Sequence, residues 1–196
     1  MFFTQKKTTA IKPRKLHSIH GLLSGRSFVG KIEAGNVAHE FVYALQGAAV
    51  VNGKLELTGK VSVKSAAGKT LTAENVKATL RGVQGAIGAA TKPASFKLTV
   101  PSAFAADVQD GNPLTEFTNS RSGLGVMYFA LAALNGKTLG VPFDLSAVQL
   151  NGRMTAIDQT ARDLQWLFNQ AAAALEANQV SVAEPYVKEI DRTLRA

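Results

Sequence analysis

Apolar and polar residues alternate with a period of two along much of the first half of the chain. The clearest stretch is the segment 54–64, where every second position is apolar or glycine: Leu55, Leu57, Gly59, Val61 and Val63. This pattern predicts a strand with one face on a core and one face in water. Asn52-Gly53 precedes it, and that pair favours a two-residue type I′ turn, so a β-hairpin is expected here.

The same alternation recurs in the segments 41–45, 76–80, 96–100 and 141–145, the last leading to a strand end at Asn151-Gly152. Pro, Gly and Asn are frequent in residues 101–125, which predicts a long connection. The continuous apolar run Val126–Leu134 lacks a period of two and favours a short buried helix. We therefore expect an antiparallel sheet of about five to seven strands, arranged as a sandwich or a small barrel.

Two helices are predicted at the C-terminus. Thr155 and Asp158 resemble a capping box, and Ser181 with Glu184 forms a second one. The apolar stripes that follow have helical spacing: Ile157, Ala161, Leu164, Phe168, Ala171, Ala172 and Leu175 in the first helix, and Val182, Tyr186, Ile190 and Leu194 in the second. Asn178 would end the first helix, and Pro185 is tolerable if it lies in the first turn of the second. The fold class is therefore α+β, with a C-terminal helical hairpin.

These patterns divide the chain into three parts. Residues 1–25 are expected to form a basic N-terminal arm. Residues 26–153 would form the β-rich body, with the long connection at 101–125. Residues 154–196 would form the helices and pack on that body.

Composition excludes several classes of protein. With 196 residues, 46% of them hydrophobic and 18% charged, the chain can bury a core and is not disordered throughout. It has no cysteine, which excludes disulfides, thiol nucleophiles and Cys-ligated metals. The sequence also lacks an apolar run of roughly 18 residues, the length that a transmembrane helix needs.

The net charge of +8 is concentrated at the front of the chain. Residues 1–31 hold seven basic residues and no acidic ones: Lys6, Lys7, Lys12, Arg14, Lys15, Arg26 and Lys31. A run of positive charges attracts polyanions, so these residues are predicted to bind nucleic acid or another acidic partner. The start has no apolar signal-peptide core, which favours the cytoplasm or a nucleoprotein assembly. Import into an organelle stays open, because transit peptides are also basic.

A second candidate surface is the face of the first predicted helix that lies opposite its apolar stripe. Trp166, the single tryptophan, falls there together with Arg162 and Ala173. Tryptophan is enriched in protein interfaces, so this face is predicted to contact another subunit, giving a homo-oligomer or a larger assembly. The alternative is a partly exposed ring covered by Arg162 in a cation–π contact.

The residues offer little catalytic chemistry. Neither Gly-Lys-Thr tripeptide, at 68–70 or 136–138, has the upstream glycine of a phosphate-binding loop. No serine lies in a nucleophile elbow. His17 and His20 lack neighbouring carboxylates in the sequence, and His39 is expected to be a core or edge residue. We therefore expect no catalytic residue, no cofactor and no metal site.

The function that these observations favour is a non-catalytic structural or binding subunit of a larger assembly, such as a virion or nucleoprotein. Two alternatives stay open. One is a barrel that binds an apolar small molecule or lipid in a cavity between sheet and helices. The other is an enzyme whose site lies in the 101–125 connection, around Asp107, Asp110 and Glu116.

Overall fold

The computed structural model describes residues 17–34, 37–64, 68–84, 126–141, 145–155 and 158–196. These residues form seven strands and then two helices: β1 (His17–Ser24), β2 (Ser27–Ala34), β3 (Val37–Val51), β4 (Lys54–Lys64), β5 (Thr70–Gln84), β6 (Val126–Leu131), β7 (Val148–Thr155), α1 (Gln159–Glu176) and α2 (Val180–Arg195). Each strand pairs with the next one in sequence, and β7 pairs with β1, so the sheet closes into a barrel. The prediction of an α+β chain is confirmed, and of the two expected arrangements, sandwich or small barrel, the structure has the barrel.

The prediction of a fully antiparallel sheet is wrong for one pair of strands, because β1 and β7 run parallel along their whole length. The other six pairings in the described residues are antiparallel. The reason is the odd number of strands. Seven strands that alternate in direction begin and end in the same direction, so closing the sheet must place two parallel strands side by side.

The β3–β4 hairpin agrees with the sequence prediction in register and in turn geometry. Asn52 and Gly53 have φ angles of 50° and 70°, the positive values that a type I′ turn requires. Leu55, Leu57 and Val61 are fully buried, while Lys54 and Lys64 at the two strand ends are exposed. The period of two therefore identified the inner face of the barrel at this hairpin.

Three further sequence predictions are wrong, and they concern strands β6, β7 and β1. The run Val126–Leu134 does not form a helix, because its first six residues form strand β6. The strand expected to end at Asn151-Gly152 instead continues through that pair, as β7 spans Val148–Thr155. In addition, residues 17–24 of the range assigned to the basic arm form β1, between β2 and β7.

The helical hairpin packs against the inner face of the barrel where β3, β4 and β5 extend past the shorter strands. Both helices and the inward side chains of the strands belong to one hydrophobic core. α2 runs beside β3, and the carboxylate of Asp191 accepts a hydrogen bond of 2.9 Å from the backbone N–H of Ala48. The predicted stripe Val182, Tyr186, Ile190 and Leu194 is buried, as are five of the described residues in the first stripe: Ala161, Leu164, Phe168, Ala171 and Ala172.

The helix starts differ from the predicted capping boxes. Thr155 is the last residue of β7, and Asp158 caps α1 by accepting a hydrogen bond of 2.7 Å from the backbone N–H of Ala161. α2 begins after Gln179 without a side-chain cap, and Pro185 lies inside the helix beyond its first turn. Neither helix of the described residues is long and apolar enough to cross a membrane.

Segment 132–141, with residues 145–147, covers the barrel end opposite the helices. β6 stops at Leu131, which leaves the first half of β5 without a strand on that side. The segment fills this space: Ala132 donates a hydrogen bond to the carbonyl of Lys77, and Gly140 lies against Leu71. Leu139, Val141 and Leu145 of this segment are buried in the core.

Candidate functional site

Three glycines lie side by side on the inner face of the barrel. Gly152, Gly21 and Gly30 are direct neighbours across β7, β1 and β2. A Cβ at Gly21 would overlap the carbonyl oxygen of Val29 and lie 2.8 Å from the ring of Phe28. The Phe28 ring also lies close to the Cβ positions of the other two glycines. The absence of side chains therefore lets the β1–β2 hairpin close tightly around this ring.

The β1–β2 ladder ends at this glycine row. Paired residues run from Ser24–Ser27 to Gly21–Gly30, which is half of the length of each strand. Beyond that point, among the described strands, residues 17–20 form ladder pairs with β7 and residues 31–34 form ladder pairs with β3. The β1–β2 ladder thus closes the barrel wall at the helix end of this seam and does not extend to the other end.

A cleft of about 360 Å³ occupies the open part of the seam. Its floor is apolar and consists of Ile19, Ile32 and Leu145, each of which is buried. Its rim and entrance carry five polar side chains: His17, Ser18, His20, Lys31 and Glu33. A pocket of a few hundred Å³ with an apolar floor and a few polar groups has the character of a small-ligand site.

The rim residues follow the glycine row in sequence order on both strands. Beyond the last ladder pair, Gly21–Gly30, β1 continues with His20, Ile19 and Ser18, and β2 continues with Lys31, Ile32 and Glu33. Side chains alternate in direction along a strand, so the isoleucines point inward and the four polar residues point outward. The cleft therefore has a cationic rim at one end, an apolar middle, and an acidic rim at the other end.

His20 has a positioned neighbour on β7. The side-chain nitrogen of Asn151 lies 3.4 Å from Nε2 of His20 and 3.5 Å from Nδ1. The oxygen of Asn151 accepts a hydrogen bond of 2.8 Å from the side chain of Gln149, which fixes the orientation of the amide. This contact holds the imidazole of His20 on the wall of the cleft.

His39 is a buried polar residue next to the cleft floor. It pairs with Ile32 across β2 and β3, and only 6% of its surface is exposed. Among the residues that the structure describes, its Nδ1 has no hydrogen-bond partner. The structure thus places His39 in the core, one of the two positions that the sequence analysis expected.

The structure places two of the seven predicted polyanion-binding residues. Arg26 lies in the β1–β2 turn, whose Gly25 is beside α1, whereas Lys31 lies on the rim of the cleft. These two are five positions apart in the chain, which is roughly 17 Å along a strand, so they do not form one cluster. Five lie outside the described residues: Lys6, Lys7, Lys12, Arg14 and Lys15. The 101–125 connection, with Asp107, Asp110 and Glu116, is also outside them.

The predicted interface residues lie on α1, and none of the three is fully buried. Trp166 is half-buried and makes an edge contact with Tyr186 of α2, with ring centroids 5.6 Å apart. Arg162 is exposed and donates hydrogen bonds to the side chain of Gln159, while Ala173 is half-buried. Trp166 therefore has a partner within the chain, and contact with another subunit stays a prediction.

Charges on the outer face of β4 are balanced by β5. Lys60 forms an ion pair of 2.7 Å with Glu74, and Glu56 forms one of 2.8 Å with Lys77. The charges of Glu56 and Lys60 on the outer face of β4 are therefore balanced by Lys77 and Glu74 of β5. Both pairs are at the surface, where each contributes roughly 0–1 kcal/mol to stability.

Sequence reasoning did not find the cleft. The one available signal was the pair of glycines at inward positions of adjacent strands, and the strand that contains Gly21 was not recognised. Within the described ranges, no three His, Asp or Glu side chains come together as a possible metal site. No protein-family model, curated protein or solved structure matches this chain.

Proposed function

We propose that the chain is a non-catalytic binding module that takes a small ligand in the cleft between β1 and β2. The observation that supports this most is the interrupted β1–β2 ladder, which opens the wall beyond Gly21 and Gly30 onto an apolar floor. The ligand would have an apolar part that packs on Ile19 and Ile32 and a charged part that reaches the rim. This combination of burial and directed polar contacts is typical of small-molecule sites.

The proposal places the ligand in the barrel wall and not between the sheet and the helices. The inward strand residues and the two helices share one packed core, so the side chains of α1 and α2 fill the space that a lipid would need. Leu164 and Phe168 of α1, for example, are fully buried there. The proposed site is at the end of the barrel that the helices leave uncovered.

The test is a set of ¹H–¹⁵N NMR titrations with three chemically different probes: sodium decanoate, leucyl-leucine and adenosine 5′-monophosphate. At least one probe is expected to shift the backbone amides of residues 18–21 and 30–33. Ser18→Trp would fill the cleft from its rim and should abolish the shifts. Ser62→Trp, on the outer face of β4, is the matched control and should leave them unchanged. If none of the three probes shifts these amides, the proposal is wrong.

A second function is favoured by the basic residues that precede β1. Residues 1–16 carry five basic side chains and no acidic ones, and Lys31 adds a charge on the cleft rim close to where β1 begins. We propose that this segment binds polyanions such as single-stranded nucleic acid. Each phosphate that a basic residue neutralises releases counterions, so the affinity should fall steeply with salt.

Fluorescence anisotropy with a labelled dT₂₀ oligonucleotide tests this second function. A variant that begins at His17 keeps the whole of β1 and should fold as the full chain does, with an unchanged circular dichroism spectrum. It should bind the oligonucleotide more weakly, with a smaller slope of log Kd against log salt; each lost phosphate contact removes about 0.7 from that slope. Equal affinities and equal slopes for the two proteins would refute polyanion binding by this segment.

A further inference from the structure

An exposed apolar patch lies on the outer face of the barrel. It consists of Leu22, Val29 and Val42 on three adjacent strands, where Val29 is the ladder partner of both Leu22 and Val42. Leu22 is 51% exposed and Val29 is 44% exposed, while Val42 is half-buried. A contiguous group of exposed apolar residues with polar surroundings marks an interaction site. We infer that this apolar patch docks the protein on a lipid surface that carries anionic headgroups.

The apolar patch is separate from the cleft and from the basic segment that precedes β1. It lies where the β1–β2 ladder is formed, between the turn of the hairpin and the glycine row. The residues that line the cleft on these two strands lie beyond that row. Docking through the patch therefore requires neither a cleft ligand nor nucleic acid.

Basic residues lie around the apolar patch. Arg153 on β7 is the ladder partner of Leu22, and Lys31 follows Val29 by two positions on β2, so both side chains share the outer face with the patch. Arg26 is in the turn that connects β1 and β2. All three basic residues are exposed. Each basic residue close to an anionic bilayer strengthens binding roughly fivefold.

The acidic charge beside the patch is offset by neighbouring lysines. Among the outward residues of the described strands that adjoin the patch, Glu40 is the acidic one, and its ladder partners are Lys31 on β2 and Lys64 on β4. Residues 1–16, which lead into β1, add five basic residues and no acidic ones. The surroundings of the patch are therefore positive on balance, which is complementary to an anionic lipid surface.

The chemistry and the shape of the patch favour lipid over other partners. Single-stranded nucleic acid stacks its bases on aromatic side chains, whereas the patch is aliphatic. A second copy of the chain would have to bury roughly 800 Å² on each partner, and three partly exposed aliphatic side chains on the convex wall of a barrel offer much less. Lipids are fluid and can surround a convex surface. Binding to their interface grows with the apolar area buried and with the attraction to anionic headgroups.

Cosedimentation of the full chain with lipid vesicles tests this inference. One set of vesicles contains equal amounts of phosphatidylcholine and phosphatidylserine, and the other contains phosphatidylcholine alone. The protein should bind the anionic vesicles at least tenfold more tightly. The double variant Leu22→Ser with Val29→Ser removes the exposed apolar area and should weaken binding to the anionic vesicles at least tenfold. Arg153→Gln should weaken it roughly fivefold.

Two matched controls lie elsewhere on the surface. Val51→Ser replaces another exposed aliphatic residue, at the end of β3, and Lys54→Gln replaces another exposed basic residue, at the start of β4. Both should bind the anionic vesicles within twofold of the wild type. The double variant should keep the wild-type affinity for the dT₂₀ oligonucleotide, because all of its basic residues are unchanged.

A fluorescent label gives a second measurement that does not depend on the serine variants. The chain has no cysteine, so Leu22→Cys and Val51→Cys each provide a single labelling site. An environment-sensitive fluorophore at position 22 should shift its emission to shorter wavelengths when anionic vesicles are added. The same fluorophore at position 51 should not respond.

Each of several results would contradict lipid docking by the apolar patch. They are no binding to anionic vesicles, equal binding to both kinds of vesicle, and an unchanged emission at position 22. Wild-type binding by a correctly folded double variant would assign the vesicle affinity to the basic residues alone. A larger mass for the wild type than for the double variant in light scattering would show that a second copy covers the patch. A loss of oligonucleotide affinity in the double variant would assign the patch to nucleic acid.

Discussion

Tyr43 provides a test of the barrel core through two independent measurements. Its side chain is 1% exposed, and its hydroxyl donates toward two backbone carbonyls, those of Val76 at 2.9 Å and Leu57 at 3.2 Å. Gly59 allows this position, because a Cβ there would lie 2.8 Å from the tyrosine ring. The hydroxyl thus joins β3 to β4 and β5 close to the irregularity of the β4–β5 ladder between Gly59 and Val61.

Replacing Tyr43 with Phe removes the hydroxyl and leaves the buried carbonyls without it. The variant loses a hydrogen bond and leaves a buried acceptor unpaired. We therefore expect its free energy of unfolding at pH 7 to be lower by about 1–3 kcal/mol. Urea unfolding followed by circular dichroism measures this free energy. Tyr128→Phe is the matched control, since Tyr128 is half-buried on β6 and the change should cost less.

The same variant changes the dependence of stability on pH. Burial raises the pKa of Tyr43 above its ordinary value of 10.0, and the charge of Glu56 raises it further. Above pH 10 the unfolded state therefore loses the proton while the folded state keeps it, so the wild type loses stability as the pH rises. At pH 11 this loss amounts to about 1.4 kcal/mol, and the Phe variant does not share it.

The stability gap between wild type and Tyr43→Phe should therefore narrow by about 1.4 kcal/mol between pH 7 and pH 11. Tyr128 and Tyr186 are present in both proteins, so their titration cancels in the difference. A gap that stays constant over this range would show that Tyr43 is not a buried neutral donor. The buried position of Tyr43 between β3, β4 and β5 would then be wrong.

Three further predictions concern the register, the glycine row and the helix surface. In urea unfolding, Leu57→Ala should lower the free energy of unfolding by about 2–5 kcal/mol, and Lys60→Ala should lower it by under about 0.5 kcal/mol. Equal losses would contradict the register of β4. Gly21→Ala should destabilise the fold by about 1–3 kcal/mol or more, because its Cβ overlaps the facing strand, whereas Gly82→Ala has open space and should be nearly neutral. Trp166→Ala should shift the chain to a smaller species in light scattering, and an unchanged mass would refute the predicted subunit interface.

The sequence predicted the parts of the fold in which one face is apolar and the other is polar. β4 shows this most clearly, since Leu55, Leu57 and Val61 are buried, whereas Lys54 and Lys64 at the strand ends are exposed. The helical stripes were recognised for the same reason. In both cases the period of the side chains along the element is visible in the sequence without any knowledge of the partner.

The strands that the sequence missed lack this contrast. In β6 the outward residues Tyr128 and Ala130 are as apolar as the inward ones, so no period of two appears. In β1 and β7 an inward position is occupied by glycine, at Gly21 and Gly152, which interrupts the apolar alternation. Asn151-Gly152 has the composition of a turn, yet Gly152 is in a strand because Phe28 needs the space.

The cleft could not be predicted from the sequence for a further reason. It depends on where a ladder between two strands stops, and on a parallel pairing between the first and last strands of the barrel. Neither has a local signal in the residues concerned. Of the two predicted polyanion-binding residues that the structure describes, Lys31 lies on the cleft rim and Arg26 does not.

Disulfide trapping tests most directly whether the β1–β2 seam is open. The chain has no cysteine, so a double variant has a single possible intramolecular cross-link. Leu22 and Val29 are direct partners in the ladder, and Leu22→Cys with Val29→Cys should form a disulfide readily under mild oxidation. Ser18 and Glu33 would be partners of the same type if the ladder continued. Because the strands separate beyond the glycine row, Ser18→Cys with Glu33→Cys should stay reduced under the same conditions, as measured by thiol labelling. Equal cross-linking of the two pairs would show that the seam is closed and would contradict the cleft.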